Sequence, residues 1–339
     1  MSTKTTIYTL SRIAKVSPST VSKALKNSPE LSEEMRREIQ KIAAEMNFRP
    51  RAVRSKIPCI GVLVQQYENI PLDFNQYLSS VLEGIAEYCH AEKLTMTLIA
   101  GSAEEWTRYD LIKELGRRGI DGVLAIRTNE ESGYLETLER NNFPYCVING
   151  TAPDRKKSVS VDFSGIGRTA GEYLRGLGHT KAGILVSPSD ARGGRERLSG
   201  FLEAYPDAAV VRESELALEK PDGFLAGVLG AEKLLERAPG LTAIFATGLE
   251  PALGVINALK RRSVRVPEDI SVLSCDDFPV MAYMSPTLST VAVPLKLLGN
   301  AAAGKLHRLM RGVVPRATVT RAELGERIIE RETTRKLRS

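Results

Sequence analysis

From residue 59 onward the chain alternates short, continuous apolar runs with amphipathic stretches, and no other feature constrains its fold as tightly. The runs are CIGVLVQ, LTMTLIA, VLAI, PYCVIN and SVSVD, then AGILV, AAVV, AIFA and ISVLS. Between them helical patterns span 75–92, 104–118, 131–141, 164–176, 192–204, 222–236 and 249–262. Strands that are apolar on both faces belong to parallel sheets covered by helices on both sides. So many strands divide into two doubly wound lobes, and such sheets bind ligands beyond the carboxyl ends of their strands. A cleft between two facing lobes is therefore the expected small-molecule site.

Charge sets the start of the chain apart. Residues 1–58 hold 12 Lys and Arg against 5 Asp and Glu, whereas the rest hold 35 against 36. A basic module on a near-neutral body suggests a polyanion-binding head; a solvated basic surface is the alternative. The pattern inside the head favours the first. Ile7, Leu10, Ile13 and Ala14 fall at helical spacing behind Thr6 as N-cap. Ser17 and Pro18 open a second helix with Val21, Ala24 and Leu25 inward. Ser32 caps a third, Glu33 and Glu34 favour its dipole, and Met35, Ile39, Ile42, Ala43 and Met46 form its apolar face. Three short helices with a tight first turn make a helix-turn-helix, whose second helix enters the major groove. Its outward residues are Ser19, Thr20, Ser22, Lys23 and Lys26. Small hydroxyls suit phosphates and base edges, and Lys23 can donate to guanine. A helical mini-bundle that contacts another protein is the competing reading.

Several function classes are excluded as expectations. At 339 residues the chain suits two or three domains with a sizeable core. No apolar run reaches the roughly 18 residues of a membrane span, and MSTKTTIYTL has no apolar signal region. Cys59, Cys89, Cys146 and Cys275 form no CxxC pair and read as buried thiols of a reducing cytoplasm. His90, His179 and His307 are too scattered for a metal site. Asp276 and Asp277 are adjacent at a strand end, so they point to opposite sides and make a poor acid/base pair. GIGRTAG is one residue too long for a dinucleotide fingerprint. No enzyme activity and no cofactor are expected.

The segment IYTLSRIAKVSPSTVSKALKNSPELSEEMRREIQKIAAEMNFRPRAV resembles the DNA-binding head of the LacI/GalR family of bacterial transcription regulators. The resemblance implies base-reading roles for Pro18, Ser19 and Lys23 and phosphate contacts for Thr20 and Ser22. Thr6, Lys26, Arg49 and Arg51 complete the DNA-contacting set together with Ile57. Lys15 stands where the family usually has Gly or Asn; if the backbone there is left-handed, a lysine strains it. The linker PRAVRSKIPCIGV departs further. Arg51 replaces the usual Asn, and Ile57 falls where a Leu wedges into the minor groove. Pro58 follows at once and disfavours a hinge helix.

The body resembles the same family in order, through IGVLV, VLEGIAEYC, GIDGVLAI, YLRGLGHTKAGIL, RERLSGF, AIFAT, VPEDISVLSCDDFP and SPTLSTVAVP, with IIERETT as closing strand. The implied fold is a small all-α helix-turn-helix domain (1–50), a short linker (51–58) and an α/β body (59–339) of two doubly wound parallel-sheet lobes, periplasmic-binding-protein-like. The implied topology crosses between lobes near 160, 289 and 322. The N-lobe then takes 59–160 and 290–321, and the C-lobe 161–288 and 322–335. Effector contacts carried over from the family are Asn75, Tyr77, Arg127, Asn149, Arg197, Gly248 and Asp276. Arg197 could grip ring hydroxyls or a carboxylate, or pair on its helix surface with Glu196 or Glu203. Asp276 could accept sugar hydroxyls or cap a turn. Tyr77 is contact or core. Phe163, Gly248-Leu249 and Val293 replace polar family residues and make the site less polar. The tail RKLRS is expected to be disordered. The resemblance implies a cytoplasmic homodimeric repressor of carbohydrate-related genes that binds operator DNA and a sugar or sugar-like effector. A soluble small-molecule-binding protein with a degenerate head, or a regulator without an effector, are the alternatives.

Overall fold

The structure is a computed structural model that describes residues 7–25, 28, 30–46, 57–65, 76–108, 110–126, 132–188, 192–219, 222–313 and 325–337. The chain forms two units, Met1–Ile57 and Pro58–Ser339.

The first unit holds α1 (Ile7–Ile13), α2 (Pro18–Leu25) and α3 (Glu33–Glu45). Leu10, Val21, Ala24, Ile39 and Ala43 are its buried core, with Ala14, Val16, Leu25, Leu31, Ile42 and Met46 packed around them. Ile13 and Met35 do not join the core as expected; they stay 49% and 39% exposed. Three short helices enclose only a narrow stripe, and residues at a helix end fall outside it. The caps expected at Ser17 and Ser32 form: Thr20 N–H donates to Ser17 Oγ (3.1 Å) and Met35 N–H to Ser32 Oγ (3.3 Å). Gln40 Nε2 donates to the Ala24 carbonyl (3.1 Å), tying α3 to the end of α2.

The second unit carries two sheets. The first has the order β2-β1-β3-β4-β5 and is parallel throughout. Its strands are β1 (Cys59–Gln65), β2 (Thr95–Gly101), β3 (Gly122–Ile126), β4 (Tyr145–Ile148) and β5 (Ser158–Val159). Helices α4 (Gln76–Ala91), α5 (Ala103–Arg108), α6 (Leu111–Arg117) and α7 (Gly133–Arg140) connect them. The single helix expected over 104–118 is two helices. Asp110 starts the second by accepting the Lys113 N–H (3.1 Å), which sets a new N-terminus inside the apolar period.

The second sheet has the order β11-β10-β9-β8-β6-β7. It comprises β6 (Ala182–Val186), β7 (Ala209–Arg212), β8 (Ala243–Ala246), β9 (Ser271–Cys275), β10 (Ser289–Ala292) and β11 (Arg327–Ile329), the last antiparallel to β10. Its helices are α8 (Phe163–Gly176), α9 (Arg192–Ala204), α10 (Gly223–Arg237) and α11 (Leu249–Arg261). Every residue of β3, β4, β6, β8 and β9 is buried, as strands covered on both faces must be. The final helix, α12 (Leu295–Met310), packs on α4, β3, β4 and β5. The chain therefore leaves the second sheet after Ala292, not at 289, because β10 pairs with β9 first.

The tail is anchored as far as Leu337, where disorder was expected, and 338–339 lie outside the described residues. Arg335 N–H donates to Ser271 Oγ (3.1 Å), Leu337 N–H to the Leu177 carbonyl (2.8 Å), and Thr333 and Thr334 are buried. Backbone groups that close β9 and β10 claim these residues, so their basic composition does not decide their order. Among the described residues no helix is long and apolar enough to cross a membrane, and no group of three His, Cys, Asp or Glu could hold a metal ion. All four cysteines are buried thiols outside any disulfide. Burial pushes the Cys89 thiol up to about 11 and Cys146 up to about 12, which keeps both protonated and unreactive.

Candidate DNA-reading and effector sites

The expected DNA-contacting residues lie on the side of α2 opposite the buried Val21 and Ala24. Ser19 and Lys23 are exposed there, and Pro18, Thr20 and Ser22 are partly exposed. Ser17 Oγ lies 2.7 Å from Ser19 Oγ and 2.8 Å from Thr20 Oγ1, so the cap hydroxyl orients two of the candidate contacts. Lys15 takes φ 54°, so the turn before α2 is left-handed at a residue with a Cβ. Val16 N–H closes that turn on the Ser11 carbonyl (3.1 Å). Ile57 is 52% exposed. Thr6, Lys26, Arg49 and Arg51 lie outside the described residues, as do Asn75 and Arg127 of the body.

The body positions that are described, Tyr77 on α4 apart, follow the carboxyl end of a strand or lie on the helix after it. Asn149 follows β4, Gly248 comes after β8, Asp276 follows β9, and Arg197 sits on α9 after β6. They differ in what remains available. Asn149 takes φ 52°, a conformation asparagine tolerates better than most residues. Its Nδ2 donates to the Tyr77 hydroxyl (2.8 Å), and its Oδ1 accepts the Val161 N–H (3.0 Å) and the Ser160 hydroxyl (3.2 Å). Asn149 therefore ties α4, β4 and the crossover after β5 together. Tyr77 is 7% exposed and packs in the main core.

Arg197 makes neither of the ion pairs that its helix surface offers. Glu196 is held by Arg192 (2.8 Å) and Glu203 by Arg168 (2.6 Å). The Arg197 guanidinium instead lies over the Phe163 ring, 4.9 Å from its centroid, and its buried Nε has no acceptor among the described residues. Phe163 is held beneath it because it opens α8, where Asp162 caps the helix by accepting the Gly165 N–H (3.1 Å). The substitution that makes the site less polar is thus also the platform for its guanidinium. Asp276 is 7% exposed with φ 65°, and its carbonyl accepts the Thr290 hydroxyl. Its neighbour Asp277 is paired with Arg331 (2.8 Å). Gly248 has an extended backbone, and a Cβ there would meet only ordinary contact with Pro251 (3.4 Å). A side chain would fit, so the glycine leaves open space above α11. A groove of about 470 Å³ lined by Ile99, Trp106, Leu111 and Leu115 shares no residue with these positions.

Residues 6–51 match the family described as bacterial regulatory proteins, lacI family, and residues 158–334 match a periplasmic binding protein-like domain. The chain belongs to the LacI family of bacterial regulatory proteins. This LacI-family regulator is 28% identical over 304 residues to the HTH-type transcriptional repressor PurR of Vibrio atlanticus, covering 88% of this chain and 89% of that protein. It is 27% identical over 308 residues to the ribose operon repressor of Haemophilus influenzae, covering 89% and 90%. Its fold is similar to that of one chain of the lac repressor dimer bound to operator and an anti-inducer, with TM-score 0.70, 20% identity, and coverage of 98% of this chain and 100% of that one.

In this LacI-family regulator, sequence reasoning overlooked one side chain beside the expected contacts and the role of another. Glu30 pairs with Lys23 across the turn after α2, and Phe163 carries Arg197. Neither role has a local signature: a glutamate in a turn reads as a solvated charge, and Phe163 reads only as a loss of polarity. Only a search for charge partners of the expected contact residues would have raised Glu30.

Proposed function

We propose that this regulator represses carbohydrate-related genes as a homodimer in the bacterial cytoplasm, reading a two-fold related operator through α2 and releasing or tightening it in response to a small molecule. The observation that carries this reading is the solvent-facing row Pro18, Ser19, Ser22 and Lys23 on a helix that the buried Val21 and Ala24 fix to the head. Two such helices from a dimer suit successive major grooves. The names of similar proteins, a ribose operon repressor among them, support the gene class. Most of the affinity comes from phosphate contacts and falls steeply with salt.

For the effector, Arg197 and Asp276 are the contacts, and Asn149 and Tyr77 are the frame behind them. A guanidinium stacked on an aromatic face keeps its N–H edge free for a carboxylate or a pair of hydroxyls. Effector binding favours one arrangement of the two sheets, and operator binding must shift effector affinity by the same factor.

Selection of genomic fragments by the purified protein at near-physiological salt tests the first part. A recovered palindrome supports it, and sequence-independent, salt-sensitive binding alone would sink it. Asp276→Asn tests the second part better than Asp276→Ala, because asparagine tolerates φ 65°. The expected outcome is unchanged operator binding with no effector response in a reporter assay. Retained response would remove Asp276 from the contact set.

A further inference from the structure

The groove-facing side of α2 carries a partner that none of the DNA-contact positions includes. The Lys23 ammonium is engaged by the Glu30 carboxylate, Nζ to Oε2 2.5 Å, across the turn between α2 and α3. The hydrogen bond and charge of Lys23 hold the Glu30 carboxyl below the usual carboxylate range. The side chains are 51% and 65% exposed, and a pair this open adds little to the stability of the head. A carboxylate beside a polyanion also lowers overall affinity. What the pair adds is a pattern. It presents a donor and an acceptor side by side.

The major-groove edge of a G·C pair presents the converse pattern, the guanine N7 and O6 acceptors next to the cytosine N4 amino donor. On an A·T pair the donor would meet the adenine N6 amino group, and the carboxylate would meet the thymine O4 acceptor or its methyl group. We propose that Lys23 and Glu30 act as one unit that reads a single G·C pair in each half-site, with Glu30 as a specificity-determining residue. The inference rests on the assignment of α2 as the groove-entering helix.

The test is selection from a randomised duplex library by the full-length protein and its Lys23→Ala, Glu30→Gln and Glu30→Ala variants, followed by competition between duplexes that differ at one pair. The wild type is expected to recover a two-fold pattern with one strongly preferred G·C per half-site, and Lys23→Ala to lose that preference. Glu30→Ala should reduce discrimination against A·T at that pair by about tenfold while leaving other positions intact. Glu30→Gln keeps an acceptor oxygen and should lose less. Because Glu30 is exposed, all variants should keep the wild-type unfolding midpoint. Equal tightening on every sequence in both Glu30 variants, with discrimination intact, would make Glu30 an electrostatic brake and overturn the proposal. Binding identical to wild type would reduce the pair to a solvated contact and overturn it equally. A wild type that selects no pattern would instead overturn the DNA-reading assignment, and this inference with it.

Discussion

At Lys15 the backbone adopts φ 54°, a conformation that crowds Cβ against the following carbonyl and that glycine takes freely. Lys15→Gly is expected to stabilise the head by roughly 0.5–1 kcal/mol, once the entropy that glycine adds to the unfolded chain is subtracted. Slower hydrogen exchange at the Val16 amide, which closes this turn, would register the gain; faster exchange would mean that the lysine is not strained. Asn149 is the opposite case, a residue suited to its φ of 52° and fully engaged. Asn149→Ala removes three hydrogen bonds at the crossover and should lower stability by about 2–3 kcal/mol. Asn149→Asp keeps the acceptor for Val161, and the Tyr77 hydroxyl can turn to donate, so the loss should stay within about 1 kcal/mol. Urea unfolding separates the two. Equal losses would assign the effect to the amide nitrogen alone.

Helix pairs in the body meet through reciprocal glycines. A Cβ on Gly167 of α8 would lie 2.0 Å from the Arg197 carbonyl, and one on Gly200 of α9 would lie 1.9 Å from the Ser164 carbonyl. The same arrangement joins α4 to α12 through Gly84 and Gly299, and α10 to α11 through Gly227 and Gly254. Backbone lies against backbone at each contact, so a methyl group has nowhere to go. Gly200→Ala should therefore destabilise the body by about 1–3 kcal/mol by forcing α9 away from α8. It should also carry Arg197 off Phe163 and weaken the effector response, although Gly200 is not among the proposed effector contacts. A variant with wild-type stability and response would show that these helices slide without penalty.

At the scale of the whole molecule, the C-terminal segment closes the second sheet, and a histidine reports on it. His179 is 2% exposed, with Nε2 against the Arg335 carbonyl (3.2 Å) and Nδ1 against the Thr242 hydroxyl (3.1 Å). Burial holds its imidazole below the usual range. The unfolded chain therefore binds a proton more readily than the native one. The stability contribution is complete above the unfolded value and is lost as pH falls through and below it. The urea midpoint should drop between about pH 7.5 and pH 5.5, and drop less in His179→Gln. Equal slopes would place the proton uptake elsewhere.

Much of this protein is legible in its sequence. The three head helices, their caps at Ser17 and Ser32, and the buried runs of β3, β6 and β8 all follow from periodicity and capping, whereas the candidate effector residues came from the family resemblance. Those signals are local, because a cap or an apolar period is complete within a few residues. Tertiary structure alone decided the partners. Asn149 meets Tyr77 from 72 residues away, and His179 meets Arg335 from 156 residues away. The anchored tail, the late crossover after Ala292, the platform of Phe163 under Arg197 and the pairing of Glu30 with Lys23 belong to the same class. A hydrogen bond or ion pair between distant segments leaves no mark on the composition around either partner. It exists only once packing has brought the two segments together and excluded enough water to make the contact count.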